Sequence, residues 1–274
     1  MTETRQQRRQ RDRALAKAGE AALRRGVPRS ANLTDLAGLT FVLTRALDDG
    51  DTASSAAECA ALAHKSYEAS VRADIAREPI ACGKGCAYCC YATVMATAPE
   101  VFRIASQIKL SPDELAAFKA RASTTANLNP AQRFGKKLPC AFLAEKACSA
   151  YEARPLACRR VTSFALAPCI EEFEGQDGDI LVPQKRIAHA ANAQALLMAA
   201  LKSRGRPTRV YELSAAVLAV IDNAGAESQW RAGEDVFEGV LSEEERAPEL
   251  KAKIDRLASA LILELRCEPA IVCT

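Results

Sequence analysis

The segment that decides the fold is residues 82–90, which read CGKGCAYCC. Its first three cysteines are separated by three and then two residues, and such spacings let a tight turn bring successive sulfur atoms around one metal ion. The glycines favour this turn because glycine adopts positive φ at little cost, and backbone N–H groups can then point toward anionic sulfur. Lys84 adds a positive charge that favours deprotonated thiols. The side chains of the adjacent Cys89 and Cys90 diverge, so the sequence leaves open which of them faces the same centre as the two preceding cysteines.

A second group of cysteines follows further along the chain. Eight of the eleven cysteines fall within residues 82–169, namely Cys82, Cys86, Cys89, Cys90, Cys140, Cys148, Cys158 and Cys169. An odd total cannot pair completely as disulfides, and such crowding is unusual for cysteines that only fill a core. The two histidines, His64 and His189, fall in predicted helices outside this stretch. The sequence therefore predicts a sulfur-rich metal centre, which narrows the metal to zinc or an iron–sulfur cluster.

The flanks of the cysteine-rich stretch are predicted to be helical. Apolar periodicity and stop signals such as Gly26 and Pro79 indicate the helices. We predict them over residues 5–25, 33–47 and 53–77, from near 99 to 108, from Pro112, over 184–203 and 210–223, and after Ser242. Ser111 and Glu114 are spaced as a capping box at the start of the helix at Pro112. Residues 122–137 are predicted to be a polar connection, and residues 138–172 an irregular segment that a metal stabilises in place of a core.

These features define the predicted fold class and domains. Apolar residues make up 49% of the chain and aromatic residues only 5%, so the apolar bulk is mostly alanine, leucine and valine, the first two of which are strong helix formers. We predict a mainly α protein, with helical flanks around a small, irregular cysteine-rich segment that contains little β structure. The predicted regions are an N-terminal helical region (1–78), a metal-binding domain (79–175) and a C-terminal helical region (176–274).

The complete pattern resembles a bacterial family of zinc- or iron-chelating proteins, the YkgJ-type CxxCxxCC cysteine-cluster proteins. The residues that carry the resemblance are Cys82, Cys86, Cys89, Cys90, Thr97, Glu100, Cys140, Phe142, Leu143, Cys148, Tyr151, Glu152, Arg154, Pro155, Cys158 and Arg159. They span residues 82–160, which leaves Cys169 outside as a weaker candidate. The resemblance implies that the metal is bound by Cys82, Cys86, Cys89, Cys90, Cys140, Cys148 and Cys158.

Several functions are compatible with such a centre. The ligand count is high and histidine is absent from it, so we prefer an iron–sulfur cluster to Zn²⁺. A structural zinc module and a metal store or carrier remain alternatives. Some proteins with similar clusters resemble protein-lysine methylases, which suggests a protein-modifying enzyme. The first three cysteines also fit the radical S-adenosylmethionine signature, but that fold alternates strands and helices, and no strands are predicted after the motif.

The residues next to the cysteines are interpreted as supporting the centre through charge and packing. Arg154 and Arg159 are interpreted as electrostatic support for clustered thiolates, and Tyr88 and Tyr151 as packing around the metal. The remaining cysteines, Cys59, Cys267 and Cys273, are interpreted as ordinary residues.

Charge and hydropathy give expectations about partners and compartment. The formal net charge is +3, and residues 1–29 carry nine basic and three acidic side chains. No aromatic residues interleave with these arginines, so we interpret the segment as a solvated helix and do not expect nucleic-acid binding. The sequence shows no apolar run long enough for an export signal or a membrane span. We expect a cytoplasmic protein whose thiols stay reduced. The sequence is also compatible with an unidentified protein or peptide partner.

Overall fold

The structure is a computed structural model that describes residues 4–28, 31, 33–48, 55–75, 79–126, 128–243 and 248–266. The α-helices in this part of the chain are α1 (Arg5–Arg25), α2 (Leu33–Asp48), α3 (Ser55–Ile75), α4 (Ala98–Gln107), α5 (Pro112–Thr125), α6 (Pro130–Gly135), α7 (Leu156–Arg160), α8 (Ala167–Glu174), α9 (Gln184–Ser203), α10 (Leu213–Asp222), α11 (Ala226–Ala232) and α12 (Pro248–Arg266). The strands are β1 (Met95–Thr97), β2 (Leu143–Ala144), β3 (Ala147–Cys148), β4 (Val210–Glu212) and β5 (Ser242–Glu243). The predicted mainly α class, with little β structure, is confirmed.

The chain divides into two compact units, each of which combines segments that are distant in sequence. Unit 1 contains Met1–Ala76, Ala188–Thr208 and Glu245–Thr274, and unit 2 contains Arg77–Ile187 and Arg209–Glu244. All eight clustered cysteines lie in unit 2. The three consecutive regions predicted from the sequence stay a prediction, since a compact unit is not the same as an independently folding domain.

Unit 1 is helical, and its first helix ends where the sequence predicts. Thr4 and Gln7 form a capping box at the start of α1, and Gly26 ends the helix with a φ of 79°. The first two helices approach closely at Gly19 and Gly38, where a Cβ on Gly19 would lie 2.2 Å from the carbonyl oxygen of Gly38. A larger residue at Gly19 would therefore separate α1 from α2.

Unit 2 is built around a small antiparallel sheet with the strand order β1-β4-β5. In this sheet Met95 pairs with Glu212 and Thr97 pairs with Val210. The aromatic core of the unit includes Phe102, whose ring lies 5.5 Å from that of Trp230. Helix α4 follows β1 directly and α10 follows β4 directly, so strand pairing sets the positions of both helices.

Four local predictions need correction. The predicted connection 122–137 contains α6, which Asn129 caps through Gln132, and the segment predicted as irregular, 138–172, contains α7 and most of α8. The predicted helix 210–223 begins with strand β4 instead, since its first residues pair with β1. Ser242 lies in β5, and the last helix begins at Pro248. Sequence periodicity misses these elements because they are short and depend on tertiary pairing.

None of the helices in the described part of the chain has both the length and the apolar character that crossing a membrane requires.

Candidate metal centre

The first cysteines lie on a turn followed by one short 3-10 helix. The Cys86 N–H donates to the carbonyl oxygen of Gly83 at 3.1 Å, and Gly85 adopts a φ of 94°. The 3-10 helix Tyr88–Tyr91 then presents Cys89 and Cys90. The glycine that the sequence offers for a turn is thus used as predicted, because a φ of this sign strains residues that carry a Cβ.

The second half of the centre consists of a hairpin and a short helix. Strands β2 and β3 form an antiparallel pair in which Leu143 is opposite Cys148. The following helix, α7, carries Cys158, whose N–H donates to the carbonyl oxygen of Pro155 at 2.9 Å. The small hairpin that the sequence suggests is therefore present.

A backbone hydrogen bond joins the two halves. The N–H of Cys140 donates to the carbonyl oxygen of Cys90 at 2.8 Å. Cys140 is buried, whereas Cys89, next to its partner, is exposed. The structure thus brings together two groups of cysteines that lie fifty positions apart, from residue 90 to residue 140, in the sequence.

A further turn links Cys82 to Cys169. The N–H of Ser163 points to the Cys82 sulfur at 3.2 Å, and the Cys169 thiol lies 3.8 Å from the carbonyl oxygen of Ala165. The Ser163 hydroxyl donates to the same carbonyl oxygen at 2.8 Å. Cys169, which the sequence ranks as a weaker candidate, therefore lies close to the first cysteine of the motif.

The eight thiols are divided into two groups according to the turns and segments that carry them. The outer group is Cys82, Cys86, Cys89 and Cys169, and the inner group is Cys90, Cys140, Cys148 and Cys158. The pKa of Cys86 is raised by burial and by the charges of the other three outer thiols. The pKa values of Cys148 and Cys158 are raised by burial and also by the charge of Cys140. Cys89 also acts on Cys148 and Cys158, so it lies between the groups.

The thiols of Cys89 and Cys90 are joined by a hydrogen bond. A hydrogen bond from the Cys90 thiol lowers the pKa of Cys89 to about 7, while the same bond raises the pKa of Cys90 above its usual range. Arg154 lowers the pKa of Cys89 further through its positive charge. Cys89 is therefore the member of the pair that ionises first.

We expect Cys89 to be the most reactive thiol of residues 82–90 in metal-free protein. Since the thiolate is the nucleophile, alkylation of Cys89 by iodoacetamide should rise through about pH 7. Cys86 serves as the control on the same turn, because burial raises its pKa and its alkylation should rise only at higher pH. Peptide mass spectrometry after brief labelling measures both rates. Equal rates at pH 7 would contradict the assignment.

Two arginines support the second half of the centre. The Arg154 guanidinium stacks 3.7 Å from the centre of the Tyr151 ring and favours the charged forms of Cys89 and Cys148. Arg159 donates through Nε to the carbonyl oxygen of Arg154 at 2.6 Å. Arg154 thus has the electrostatic role that the sequence predicts, whereas the bond to the Arg154 carbonyl group gives Arg159 a role in holding the backbone.

Aromatic rings pack beside the first half of the centre. Phe173 of α8 lies with its ring centre 5.6 Å from that of Tyr88 and 4.7 Å from that of Tyr91. Gly178 allows the chain after α8 to approach closely, since a Cβ there would lie 2.2 Å from the Pro168 carbonyl oxygen. Helix α8, which carries Cys169, is therefore held against the turn that carries the first cysteines.

A buried carboxylate connects the start of α4 with the start of α7. Glu100 is only 4% exposed, and its Oε2 accepts hydrogen bonds from the N–H and hydroxyl of Thr97 at 3.0 and 2.9 Å. Its Oε1 accepts from the N–H of Leu156 at 2.7 Å. The motif residues Thr97 and Glu100 thus fix the first turn of α7 and with it Cys158.

Sequence reasoning missed a buried ion pair beside Cys140. Nη1 of Arg133 donates to Oε1 of Glu212 at 2.8 Å, and the two side chains are 1% and 2% exposed. Glu212 also accepts from the N–H of Ala215 and caps α10. The charges of Arg133 and Glu212 act in opposite directions on the pKa of Cys140. Arg133 and Glu212 are far apart in sequence. The sequence signal for the pair was limited to the presence of Arg133 in the segment predicted to be a polar connection.

The histidines belong to unit 1. His64 is buried in α3, and Nε2 of His189 in α9 lies 3.0 Å from Oδ2 of Asp74. Cys59 is buried in α3, which raises its pKa. The predicted ordinary roles of Cys267 and Cys273 concern residues outside the described part of the chain.

The donor set fits a thiophilic metal, although the side chains are not preformed around an ion. Among the described residues, no three cysteine, histidine or carboxylate side chains are gathered closely enough to hold a metal. Thiols without metal repel one another once ionised, so ligand binding involves their rotation toward a common ion. Eight sulfur donors on neighbouring segments, with Arg154 nearby, match the preference of zinc and iron for thiolate.

Comparison with protein families identifies the segment. Residues 81–179 match the model of the CxxCxxCC family, described as "Putative zinc- or iron-chelating domain". Residues 81–179 are thus similar to the CxxCxxCC domain. The match continues beyond residue 160, where the sequence resemblance was expected to end, so Cys169 lies within the matched residues. Comparisons with curated proteins and with solved structures find no match to this chain.

Proposed function

We propose that the CxxCxxCC domain binds a metal through the thiolates of Cys82, Cys86, Cys89, Cys90, Cys140, Cys148 and Cys158, with Cys169 as an eighth ligand. The observation that carries the proposal is the convergence of both halves, through the bond between Cys140 and Cys90. Because each thiol that binds a metal loses its proton, metal binding also couples to folding of this segment.

An iron–sulfur cluster is the preferred cofactor and Zn²⁺ the alternative. The proposed metal ligands are all sulfur atoms. Arg154 offsets part of the negative charge that several thiolates bring. When bound, an iron–sulfur cluster would supply one-electron transfer, whereas zinc would serve as a structural cross-link. The residues of the chain would hold the cofactor, limit its exposure through Phe173 and Cys140, and adjust its charge.

Structural zinc is the second candidate function, because buried Cys140 and the small hairpin are elements that a cross-link would stabilise. A radical S-adenosylmethionine enzyme is disfavoured, since the strands within the described residues are only two or three residues long. A protein-modifying activity stays an alternative, with a protein or peptide as the partner. Reduced thiols in such number are best maintained in the cytoplasm, which we propose as the compartment.

Purification without oxygen, followed by elemental analysis and an electronic spectrum, tests the proposal. We expect a brown protein that contains iron and shows sulfur-to-iron charge-transfer absorption. A colourless protein loaded with zinc would support the structural alternative. Protein that contains neither metal and takes up neither on reconstitution would refute metal binding.

Replacing Cys86 with serine should release metal and loosen residues 82–169. The reason is that the thiolate is lost from the turn held by Gly83, while folding of this segment depends on bound metal. Metal content and limited proteolysis measure the result. Cys59→Ala is the matched control, since Cys59 lies in α3 of the other unit and alanine adds no unpaired hydroxyl to the core there, so both measurements should be unchanged.

A further inference from the structure

We propose that the eight thiols form two separate four-sulfur metal sites, an inner site made by the inner group and an outer site made by the outer group. This inference rests on the proposed function and goes beyond it by assigning each cysteine to a site. A single tetrahedral ion is saturated by four thiolates, so eight donors on adjoining turns exceed what one ion can use.

The inner site is defined by backbone contacts. Cys140 and Cys90 are joined through their main chains at 2.8 Å. The tight turn after Cys140, in which the Leu143 N–H donates to the Cys140 carbonyl oxygen at 2.9 Å, leads directly into the hairpin that carries Cys148. Cys158 is held nearby by the buried Glu100, which binds the first turn of α7. Three different segments therefore carry the four inner cysteines, of which Cys140 is buried.

The outer site is defined by the turn at residues 163–165. This turn contacts the sulfur of Cys82 through the Ser163 N–H and the thiol of Cys169 through the Ala165 carbonyl group. Cys86 lies on the same turn as Cys82, closed by the bond to Gly83. The outer site therefore includes Cys169, and the contact between this turn and Cys82 is the observation that assigns it there.

The adjacent cysteines divide between the sites. The Cys90 carbonyl oxygen accepts from the Cys140 N–H, which places Cys90 with the inner site, whereas Cys89 is exposed. Because the Cys90 thiol donates a hydrogen bond to Cys89, the two sites adjoin at this pair of residues.

The two sites should differ in how easily they exchange metal. The inner site contains the buried Cys140, whereas the outer site contains the exposed Cys89. A chelator reaches an exposed ligand first, so metal should leave the outer site first. The outer site would then be the exchangeable one and the inner site the permanent cross-link.

Titration of the metal-free full-length chain with Co²⁺ under anaerobic conditions tests the division, because tetrahedral thiolate coordination gives Co²⁺ a strong visible spectrum. We expect about two ions per chain for the wild type and about one for Cys169→Ser or Cys148→Ser, since each variant leaves one four-sulfur site intact. Cys59→Ala is the control and should again take up about two ions. Removal of Co²⁺ from the wild type by a chelator should proceed in two phases, of which Cys169→Ser retains only the slow one.

The outcomes separate this inference from the proposed function. Uptake of about one ion by the wild type, unchanged in Cys169→Ser, would overturn the two-site division and leave metal binding intact. Uptake of no ion by the wild type would overturn both. The wild-type stoichiometry and release phases decide the question even if a variant fails to fold, which helical circular dichroism would reveal.

Discussion

Replacing Arg133 with methionine is expected to lower the free energy of unfolding of unit 2 by about 3–5 kcal/mol, because Glu212 is then left buried without a counter-charge. The two side chains are almost fully inaccessible, and the distance between Nη1 and Oε1 is 2.8 Å. Trp230 is the only tryptophan of the chain and is buried in the same unit. Its fluorescence during denaturation therefore reports directly on this loss.

The partner substitution and the double variant provide the control. Glu212→Gln keeps an oxygen that can accept from the Ala215 N–H, so the cap on α10 is retained while the buried charge is removed. The double variant Arg133→Met, Glu212→Gln buries no charge and should be more stable than Arg133→Met alone. A double variant that loses as much as the two single losses added together would show that the pair is not coupled.

Replacing Glu100 with alanine is expected to lower the free energy of unfolding by about 3 kcal/mol or more, because it leaves the buried N–H of Leu156 and the polar groups of Thr97 without their acceptor. All three contacts are between 2.7 and 3.0 Å. The same variant should weaken metal binding, since the first turn of α7 positions Cys158. Trp230 fluorescence and metal content measure the two effects.

The chain contains a closely matched control for this variant. Glu114 forms the same kind of capping box with Ser111 at the start of α5, but it is exposed to solvent, and the Ser111 backbone and side-chain hydrogen bonds lower its pKa. Glu114→Ala should have a much smaller effect on stability and none on metal content. Similar losses from Glu100→Ala and Glu114→Ala would show that the bond to Leu156 does not matter.

The sequence predicted helices best where local signals were complete. Helices α1 and α9 begin and end at the predicted residues, and α5 begins at Pro112 behind its capping box. Capping residues, stop signals and apolar periodicity act within a few positions, so they can be read without tertiary information. The short helix α6 has a capping box of its own at Asn129 and could have been predicted from it.

Strand β4 and the pair formed by Arg133 and Glu212 could not be predicted in the same way. The residues of β4 read as the start of a helix, and their pairing with Met95–Thr97 overrides that local preference. An ion pair between residues distant in sequence leaves no periodic signal. Neither feature exists until the chain has folded.

By itself the sequence predicted a thiolate metal site within residues 82–169, since eight sulfur donors and two glycines at a turn are typical of such a site and the arginine-proline segment carries the family resemblance. Only the tertiary structure decided that Cys169 lies beside Cys82 and that Cys140 is joined to Cys90. The physical reason is that spacing along the chain limits which neighbouring thiols can share a turn. Which distant turns meet is set by backbone hydrogen bonds and buried charges that form only on folding.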